Sequence, residues 1–104
     1  MEKNLKNNQP KEDEFSKLVH LLTDDGIPFE LKWRLGGRQL IYPNREIWVC
    51  DVICNPGSYG YENGLLEIMG LVEIDGDTVE GWLTAEEVFE RIKNHYKKDF
   101  NKGD

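Results

Sequence analysis

The hydrophobic positions near the start of the chain recur at the spacing of one helix face. This apolar stripe consists of Phe15, Leu18, Val19 and Leu22. Pro10 suits the first turn of a helix, and Gly26, which follows two aspartates, is a typical stop signal. The pattern predicts a first helix over residues 11–23, preceded by a polar tail over residues 1–9 that we expect to be flexible.

Strict alternation replaces the helical spacing after this stop signal. Over residues 27–35 every second side chain is apolar, namely Ile27, Phe29, Leu31, Trp33 and Leu35. A period of two predicts an antiparallel strand with this apolar face packed and the other face in solvent. Gly36-Gly37 is typical of a two-residue hairpin turn, so the returning strand is predicted over residues 38–42.

The most strand-like run of the chain covers residues 47–54, where Trp, Val and Ile dominate. Because this run is apolar on both faces, we expect it to be the most buried strand and the centre of the sheet. A turn at residues 43–45 precedes it, so three strands form a meander. The glycine- and tyrosine-rich segment 56–64 that follows predicts an irregular loop.

The segment 65–72 is ambiguous between helix and strand. Its apolar residues fit a helical stripe, and we favour a short helix: Leu65, Leu66, Ile68, Met69 and Val72. The Asp75-Gly76 pair then predicts a hairpin turn, with short strands over residues 73–74 and 79–83.

The final helix carries the clearest start signal. Thr84 and Glu87 have the spacing of a capping box, and acids at the start and lysines at the end match the helix dipole. Its apolar stripe predicts a helix over residues 85–96 or slightly beyond: Ala85, Val88, Phe89, Ile92 and Tyr96. The predicted fold class is α+β, with an N-terminal helix, an antiparallel meander sheet of three to five strands and a C-terminal helix packed on the sheet. We expect one domain over residues 10–98 and a flexible tail over residues 99–104.

Composition is that of a globular protein. The 104 residues are 38% hydrophobic and 32% charged, which suffices for one core. No apolar run approaches the roughly 20 residues that span a bilayer, and the start of the chain lacks the apolar centre of a signal peptide. Two cysteines in such a chain favour a reducing, cytoplasmic setting.

Charge is distributed unevenly along the chain. The net charge of −7 argues against direct binding to nucleic acid or to a membrane surface. No Lys or Arg lies between Arg45 and Arg91, whereas residues 28–45 are basic. The intervening segment, called the acidic half below, holds eleven acids: Glu46, Asp51, Glu62, Glu67, Glu73, Asp75, Asp77, Glu80, Glu86, Glu87 and Glu90. The acidic half is either a solvated surface that keeps the protein soluble or a binding surface.

Residues capable of metal binding or nucleophilic chemistry form no recognised motif. Cys50 and Cys54 are four apart on one strand and therefore about 13 Å from each other, too far for a disulfide. A zinc site would also need His20 and His95, which belong to different helices. We interpret the cysteines as buried structural thiols and predict neither a metal nor a cofactor.

One acid of the central strand, Asp51, has neighbours that predict burial. We expect it to hold the glycine-rich loop, through backbone N–H groups or through Tyr59 and Tyr61. The alternative is an acid–base role for this carboxylate. The segment 75–77 has the look of a calcium loop but lacks the further oxygen ligands, so we interpret it as a turn.

Three segments of the last two-thirds of the chain carry a resemblance to other proteins. They are Cys-x-x-x-Ser-Tyr-Gly at residues 54–60, GLLEIMGLVE at residues 64–73 and GWLTAEEVFERI at residues 81–92. These segments resemble those of small proteins encoded by phages and prophages of Gram-positive bacteria. The resemblance implies a cytoplasmic protein acting during infection or lysogeny, and no particular reaction. In size and charge the chain is also similar to anti-CRISPR proteins, which cover nucleic-acid-binding surfaces of a host effector.

We therefore expect a small acidic binding protein, not an enzyme, that inhibits a host defence effector by occupying its basic nucleic-acid-binding surface. A Cas9-type effector is the concrete target, because it holds its heteroduplex in a positively charged channel. The residues expected to contact this partner are Glu73, Asp75, Asp77, Glu80, Glu86 and Glu90, with Tyr59 and Tyr61 in the loop. The alternative is an accessory or regulatory phage protein that self-associates through exposed aromatic side chains, and a small enzyme comes third.

Overall fold

The computed structural model describes residues 12–99. The elements are α1 (Glu14–Asp24), β1 (Glu30–Arg34), β2 (Gly37–Tyr42), β3 (Cys50–Cys54), a 3-10 turn (Tyr61–Asn63), β4 (Leu66–Met69), β5 (Val79–Leu83) and α2 (Ala85–Asp99). Each strand pairs antiparallel with the next, so the sheet order is β1-β2-β3-β4-β5. The predicted α+β fold is confirmed, with β3 at the centre of a five-stranded meander. The tail predicted over residues 1–9 lies outside the described residues, and α2 reaches Asp99, where the second tail was predicted to begin.

Side-chain caps determine where the helices begin. Asp13 accepts a hydrogen bond from a backbone N–H of the first turn at 2.7 Å, so α1 starts later than predicted. Thr84 and Glu87 form the predicted capping box: the Thr84 N–H donates to Glu87 Oε1 at 2.8 Å, and the Glu87 N–H donates to Thr84 Oγ1 at 3.2 Å. Glu14 joins the two helix starts, because its Oε1 accepts from the Ala85 N–H at 2.7 Å.

The hydrophobic core lies between the two helices and one face of the sheet. Cross-strand partners share a face, so the register places Leu40, Val52 and Ile68 side by side in this core, all fully buried. The helices supply the other half of the core, which includes Phe15, Leu18, Leu22, Val88 and Ile92. Over the part of the chain that the structure describes, neither helix has the length and apolar content needed to cross a membrane.

Two loops cover the other face of the sheet. Gln39, Asp51 and Glu67 point to this face and are nonetheless buried. The loop between β2 and β3 covers Asp51, whose Oδ1 accepts a hydrogen bond from Trp48 Nε1 at 3.3 Å. The loop between β3 and β4 covers Glu67, whose Oε1 accepts a hydrogen bond from the backbone N–H of Tyr59 at 2.7 Å. The loops therefore decide what this face presents to solvent.

The segment 65–72 contains a strand, so the short helix favoured from the sequence is wrong. Leu66 and Ile68 enter the core, whereas Glu67 between them faces the covering loop. This period of two is that of a strand buried on both faces. Apolar residues on both faces of a strand can also have the spacing of a helical stripe, and this is why the sequence pattern favoured a helix.

The connection between β4 and β5 is a loop rather than a tight hairpin. Leu71 has a φ of 53°, which takes the chain out of the ladder, and residues 73–74 form no strand. The predicted turn at Asp75-Gly76 is present within this loop, since the Asp77 N–H donates to the Ile74 carbonyl at 3.1 Å. The second predicted strand, 79–83, is confirmed as β5.

The apolar face predicted for the first strand is packed only in its first half: Ile27 is buried in the core and Phe29 packs against it, whereas the rest is exposed, namely Leu31, Trp33 and Leu35. β1 is shorter than predicted, and Leu31 and Trp33 pair with Leu40 and Arg38 on the helix side of the sheet. The helices do not extend over the end of this edge strand, and Trp33 is therefore 70% exposed. Alternation predicted the direction of these side chains correctly, but it could not predict the reach of the helix layer.

The segments on either side of β2 also differ from the prediction. The β1–β2 turn consists of Leu35 and Gly36, with φ of 50° and 78°, so Gly37 is the first residue of β2. Glycine is required there for a different reason, since a Cβ at Gly37 would lie 2.4 Å from the Asn55 Cβ. On the other side, β3 starts at Cys50, later than predicted, because the loop that contains Trp48 is longer than a turn.

Candidate binding surface

Two large aromatic side chains stack on each other at the β5 edge of the sheet. Tyr59 belongs to the loop between β3 and β4, and Trp82 belongs to β5. Their ring centroids are 5.3 Å apart, and the ring planes differ by 18°. Tyr59 is 56% exposed and Trp82 is 58% exposed. We call the pair the Tyr59–Trp82 stack; its outer ring faces are open to a ligand.

Backbone contacts hold the Tyr59–Trp82 stack in place. The buried Glu67 accepts a hydrogen bond from the Tyr59 N–H at 2.7 Å, and the Trp82 N–H donates to the Tyr59 carbonyl at 3.3 Å. Gly81 allows this approach, since a Cβ there would lie 2.2 Å from the Tyr59 Cβ. Trp82 has a φ of 54°, an uncommon conformation for a bulky residue. The stack is therefore fixed, and one of its rings is presented by a strained residue.

A pocket of about 550 Å³ lies beside the stack. The glycine-rich loop forms most of its wall, because the lining residues are 56–63 together with Trp82. Tyr61 and Glu62, from the 3-10 turn, belong to this lining. Glu62 is the one charged residue of the lining, and no Lys or Arg belongs to it. The pocket therefore combines aromatic surface with a negative charge.

Arg91 partly neutralises two of the acids predicted to bind a partner. Its Nη2 lies 3.6 Å from Glu73 Oε1, and its Nη1 lies 2.9 Å from Glu80 Oε1. The latter contact is an ion pair rather than a well-formed hydrogen bond. The Arg91 guanidinium lowers the pKa of Glu80 and also donates to the Leu71 carbonyl at 3.3 Å. Because the Arg91 side chain is only 8% exposed, these contacts fasten the β4–β5 loop to α2, and Glu80 has a structural role.

The other acids of the predicted set lie in solvent. Glu86 pairs with Lys17 of α1, with Oε2 and Nζ 3.3 Å apart. Asp75, Asp77 and Glu90 are exposed and make no ion pair with any residue of the described range 12–99. The unpaired charge of the predicted set therefore lies at the β4–β5 turn and on α2.

Asp51 is buried as predicted, but it holds a different loop. It accepts hydrogen bonds from Gln39 Nε2 at 2.9 Å and from Trp48 Nε1 at 3.3 Å. The predicted link to the glycine-rich loop is wrong, because that loop leaves the far end of β3 and Asp51 lies near its start. Glu67, on the same face of the neighbouring strand, binds the loop instead.

Both cysteines are buried free thiols, as predicted. Burial, with the nearby charge of Asp51, raises the pKa of Cys50 to about 12, and burial also raises the pKa of Cys54. At neutral pH both thiols are therefore protonated and weakly nucleophilic. His20 and His95 lie on different helices, and no group of three or more potential metal ligands occurs within residues 12–99.

A second exposed apolar region lies at the β1 edge of the sheet. It consists of Leu31, Trp33 and Leu35 and is called the β1 patch below. A shallow groove of about 360 Å³ runs beside it, lined by Phe15 and Arg38 among others. The charge of Arg38 is paired with Asp13, at 2.9 Å, and its guanidinium lies 4.7 Å from the Phe15 ring centroid. The β1 patch is thus apolar and offers no unpaired acid.

Sequence reasoning selected Tyr59 and Tyr61 from the glycine-rich loop but missed Trp82 and Glu67. The Gly81-Trp82 pair carried a usable signal, because a glycine within a strand often marks a close approach of another backbone segment. Glu67 carried none, since its role depends on the segment 65–72 being a strand.

Comparisons with known proteins assign no relative to this chain. No protein-family model, curated protein or solved structure matches it.

Proposed function

We propose that this protein is a non-catalytic binding protein that occupies a basic, nucleic-acid-binding surface of another protein. One observation carries the proposal: the segment between Arg45 and Arg91, which has no Lys or Arg, holds both the exposed Tyr59–Trp82 stack and exposed acids that are unpaired among residues 12–99, namely Asp75, Asp77 and Glu90. The resemblance to phage and prophage proteins makes an anti-CRISPR role the concrete form. The target is then a Cas9-type effector in the cytoplasm of the bacterial host.

Charge complementarity supports this partner class. A Cas9-type effector holds its heteroduplex in a positively charged channel, which an acidic surface can occupy. On this protein, Asp75, Asp77 and Glu90 remain in solvent, and the nearby base Arg91 is almost fully buried. Complementary charge mainly accelerates association and selects the partner. Binding should therefore weaken as salt rises, because exposed charges are screened over about 8 Å at physiological ionic strength.

The state of the buried thiols and of two buried carboxylates supports a role without catalysis. The two cysteines have raised pKa values and sit in the core. The two buried carboxylates, Asp51 and Glu67, are engaged in hydrogen bonds that hold loops. The thiols and the two buried carboxylates therefore have structural roles, whereas the exposed acids and aromatic rings are available to contact a partner.

The proposal is tested by reversing charge at the β4–β5 turn. The variant Asp75→Lys/Asp77→Lys changes two exposed side chains, so we expect it to fold like wild type. Its affinity for a guide-loaded Cas9-type effector of a Gram-positive host should fall by about tenfold or more, chiefly through slower association. Surface plasmon resonance at several salt concentrations measures both the rate and the salt dependence.

A matched control separates this surface from net charge. Asp24→Lys/Glu46→Lys gives the same change in net charge at exposed positions on α1 and on the β2–β3 loop. This control should retain at least half of the wild-type association rate. Equal losses in the two variants would show that the overall charge, and not this surface, governs binding. Absence of binding to any Cas9-type effector would overturn the anti-CRISPR form of the proposal.

Self-association is the second candidate function, and the β1 patch favours it. β1 is an edge strand whose outer side has no partner strand among residues 12–99, and one face of it exposes the large apolar side chains of Leu31 and Trp33. Edges of this kind readily pair with a second chain. Sedimentation equilibrium tests this candidate, because a dimer formed through β1 should dissociate in Trp33→Lys, whereas a monomeric wild type excludes it.

A further inference from the structure

We propose that the pocket beside the Tyr59–Trp82 stack binds an arginine side chain of the partner protein. The inference rests on the proposed function for the source of that arginine, since a basic nucleic-acid-binding surface is rich in this residue. The affinity of the pocket for a guanidinium comes from the residues that line it.

The lining of the pocket has the two features that a guanidinium requires. Tyr59 and Trp82 offer aromatic faces, on which a planar guanidinium stacks with a cation–π attraction. Glu62 offers a carboxylate, which accepts two parallel hydrogen bonds from the same group. Glu62 makes no ion pair within residues 12–99, and no base lines the pocket, so its charge is available to a ligand.

The pocket is formed before any ligand arrives. Glu67 holds the backbone of Tyr59, and the Tyr59 carbonyl holds the backbone of Trp82. Gly81 allows the close contact between the two segments that brings the rings together. Because these groups are already ordered, binding does not have to order them, and more of the interaction free energy appears as affinity.

Arginine fits the pocket better than other ligands of aromatic surfaces. Nucleobases also stack on aromatic rings, but their phosphates would meet the charge of Glu62, and the pocket lining has no Lys or Arg to pair with them. Proline-rich segments dock in aromatic grooves, yet they make no use of a carboxylate. Lysine is a compact, strongly hydrated charge and cannot stack as a plane. The combination of stacked rings and one acid therefore selects the guanidinium.

The indole N–H resonances of the intact protein provide the test. The chain has three tryptophans, so a proton–nitrogen correlation spectrum shows three indole signals, and Trp82→Phe identifies that of Trp82. The probe is the peptide acetyl-Gly-Gly-Arg-Gly-Gly-amide, titrated to millimolar concentration. We expect a saturable shift of the Trp82 signal and little change at Trp33. The citrulline peptide, which is neutral but of the same shape, should shift Trp82 by less than about a fifth as much, since the charge supplies the cation–π attraction.

Two variants locate the binding site while keeping Trp82 as the reporter. Glu62→Gln is an exposed change that retains the fold, and it should weaken binding of the arginine peptide by about twofold to fivefold. Tyr59→Leu removes one ring of the stack and should weaken it further. Trp33→Leu, at the opposite edge, is the control and should bind like wild type. The proposal is overturned if Trp82 does not shift, if Glu62→Gln binds unchanged, or if citrulline or an arginine-free proline-rich peptide shifts Trp82 equally.

The test of the arginine pocket can fail or succeed independently of the test of the proposed function. If Asp75→Lys/Asp77→Lys loses the Cas9-type effector while the arginine peptide leaves Trp82 unchanged, the proposed function stands and the arginine pocket is wrong. If the peptide binds with the predicted selectivity but charge reversal has no effect on the effector, the pocket stands and the proposed function is wrong.

Discussion

Both edges of the sheet expose a tryptophan, but they do so in different ways. At the β1 edge, Trp33 is 70% exposed and makes no ring stacking contact within residues 12–99. At the β5 edge, Trp82 is 58% exposed, yet its ring stacks on Tyr59 and its backbone N–H is bound to the same residue. The two side chains have similar exposure and differ in how firmly the surrounding chain positions them.

The β1 patch and the Tyr59–Trp82 stack therefore have different origins: the first is apolar surface that no other element covers, and the second is held in place by specific contacts. The β1 patch is exposed because the helix layer does not reach the edge strand. The Tyr59–Trp82 stack, in contrast, requires a buried carboxylate, a glycine without room for a Cβ, and a residue in a strained conformation. Exposed apolar area alone does not identify a binding site. Exposed aromatic side chains that hydrogen bonds and close packing hold in place indicate one more strongly.

The largest effect is expected from adding one methyl group beneath the stack. Gly81→Ala places a Cβ 2.2 Å from the Tyr59 Cβ, so the two segments must separate. We expect a loss of about 3 kcal/mol in the free energy of unfolding, as for an overpacked interior. Gly76→Ala, in open space but with a φ of 86°, should lose only about 1 kcal/mol from backbone strain. Urea denaturation measures both, and equal losses would contradict the tight contact.

A smaller loss is expected when the carboxylate under the loop is removed. Glu67→Ala leaves the Tyr59 N–H without its acceptor and should lower the free energy of unfolding by about 2 kcal/mol. Glu67→Gln retains an acceptor oxygen and should lose less than half as much. The Trp82 indole signal should move in Glu67→Ala, because the stack loses its anchor. An unchanged signal would show that the loop is held by other contacts.

At the β1 edge, in contrast, a single substitution should increase the stability of the protein. Leu35 occupies the β1–β2 turn with a φ of 50°, where asparagine is favoured over leucine. Leu35→Asn should therefore raise the free energy of unfolding by about 1 kcal/mol. Thermal denaturation measures the gain, and a loss of stability would show that the exposed Leu35 side chain contributes packing.

The smallest effect is expected at the exposed tryptophan of β1. Trp33→Lys should change the free energy of unfolding by no more than about 0.5 kcal/mol, because its side chain is mostly in solvent. A loss comparable to that of Glu67→Ala would show that Trp33 is anchored, and the contrast between the two edges would fail.

The fold was predictable to the extent that local signals decide it. The capping box of Thr84 and Glu87 and the apolar character of β3 acted locally, and both predictions are confirmed. The helix favoured for the segment 65–72 was wrong because periodicity does not separate a strand buried on both faces from a helical stripe. The exposure of Trp33 depends on where the helices lie over the sheet, which no local pattern reports.

The candidate site was predictable only in part, for the same reason. Glycine and tyrosine in one loop indicated Tyr59 and Tyr61. Their partners come from β4 and β5, through a register that contains an irregularity between Leu66 and Ile68. The pairing of Glu80 with Arg91 likewise arises from a contact between β5 and α2. A sequence lists these residues, but only the assembled sheet brings them together.

The claim that the Tyr59–Trp82 stack is a preformed site is tested most directly by nitrogen relaxation of the three indole N–H groups. The order parameter of Trp82 should be close to that of rigid backbone, about 0.85, whereas that of Trp33 should fall below about 0.6. Trp48, whose indole N–H is bound to Asp51, provides a rigid reference in the same protein. A Trp82 indole as mobile as that of Trp33 in the unbound protein would contradict the account.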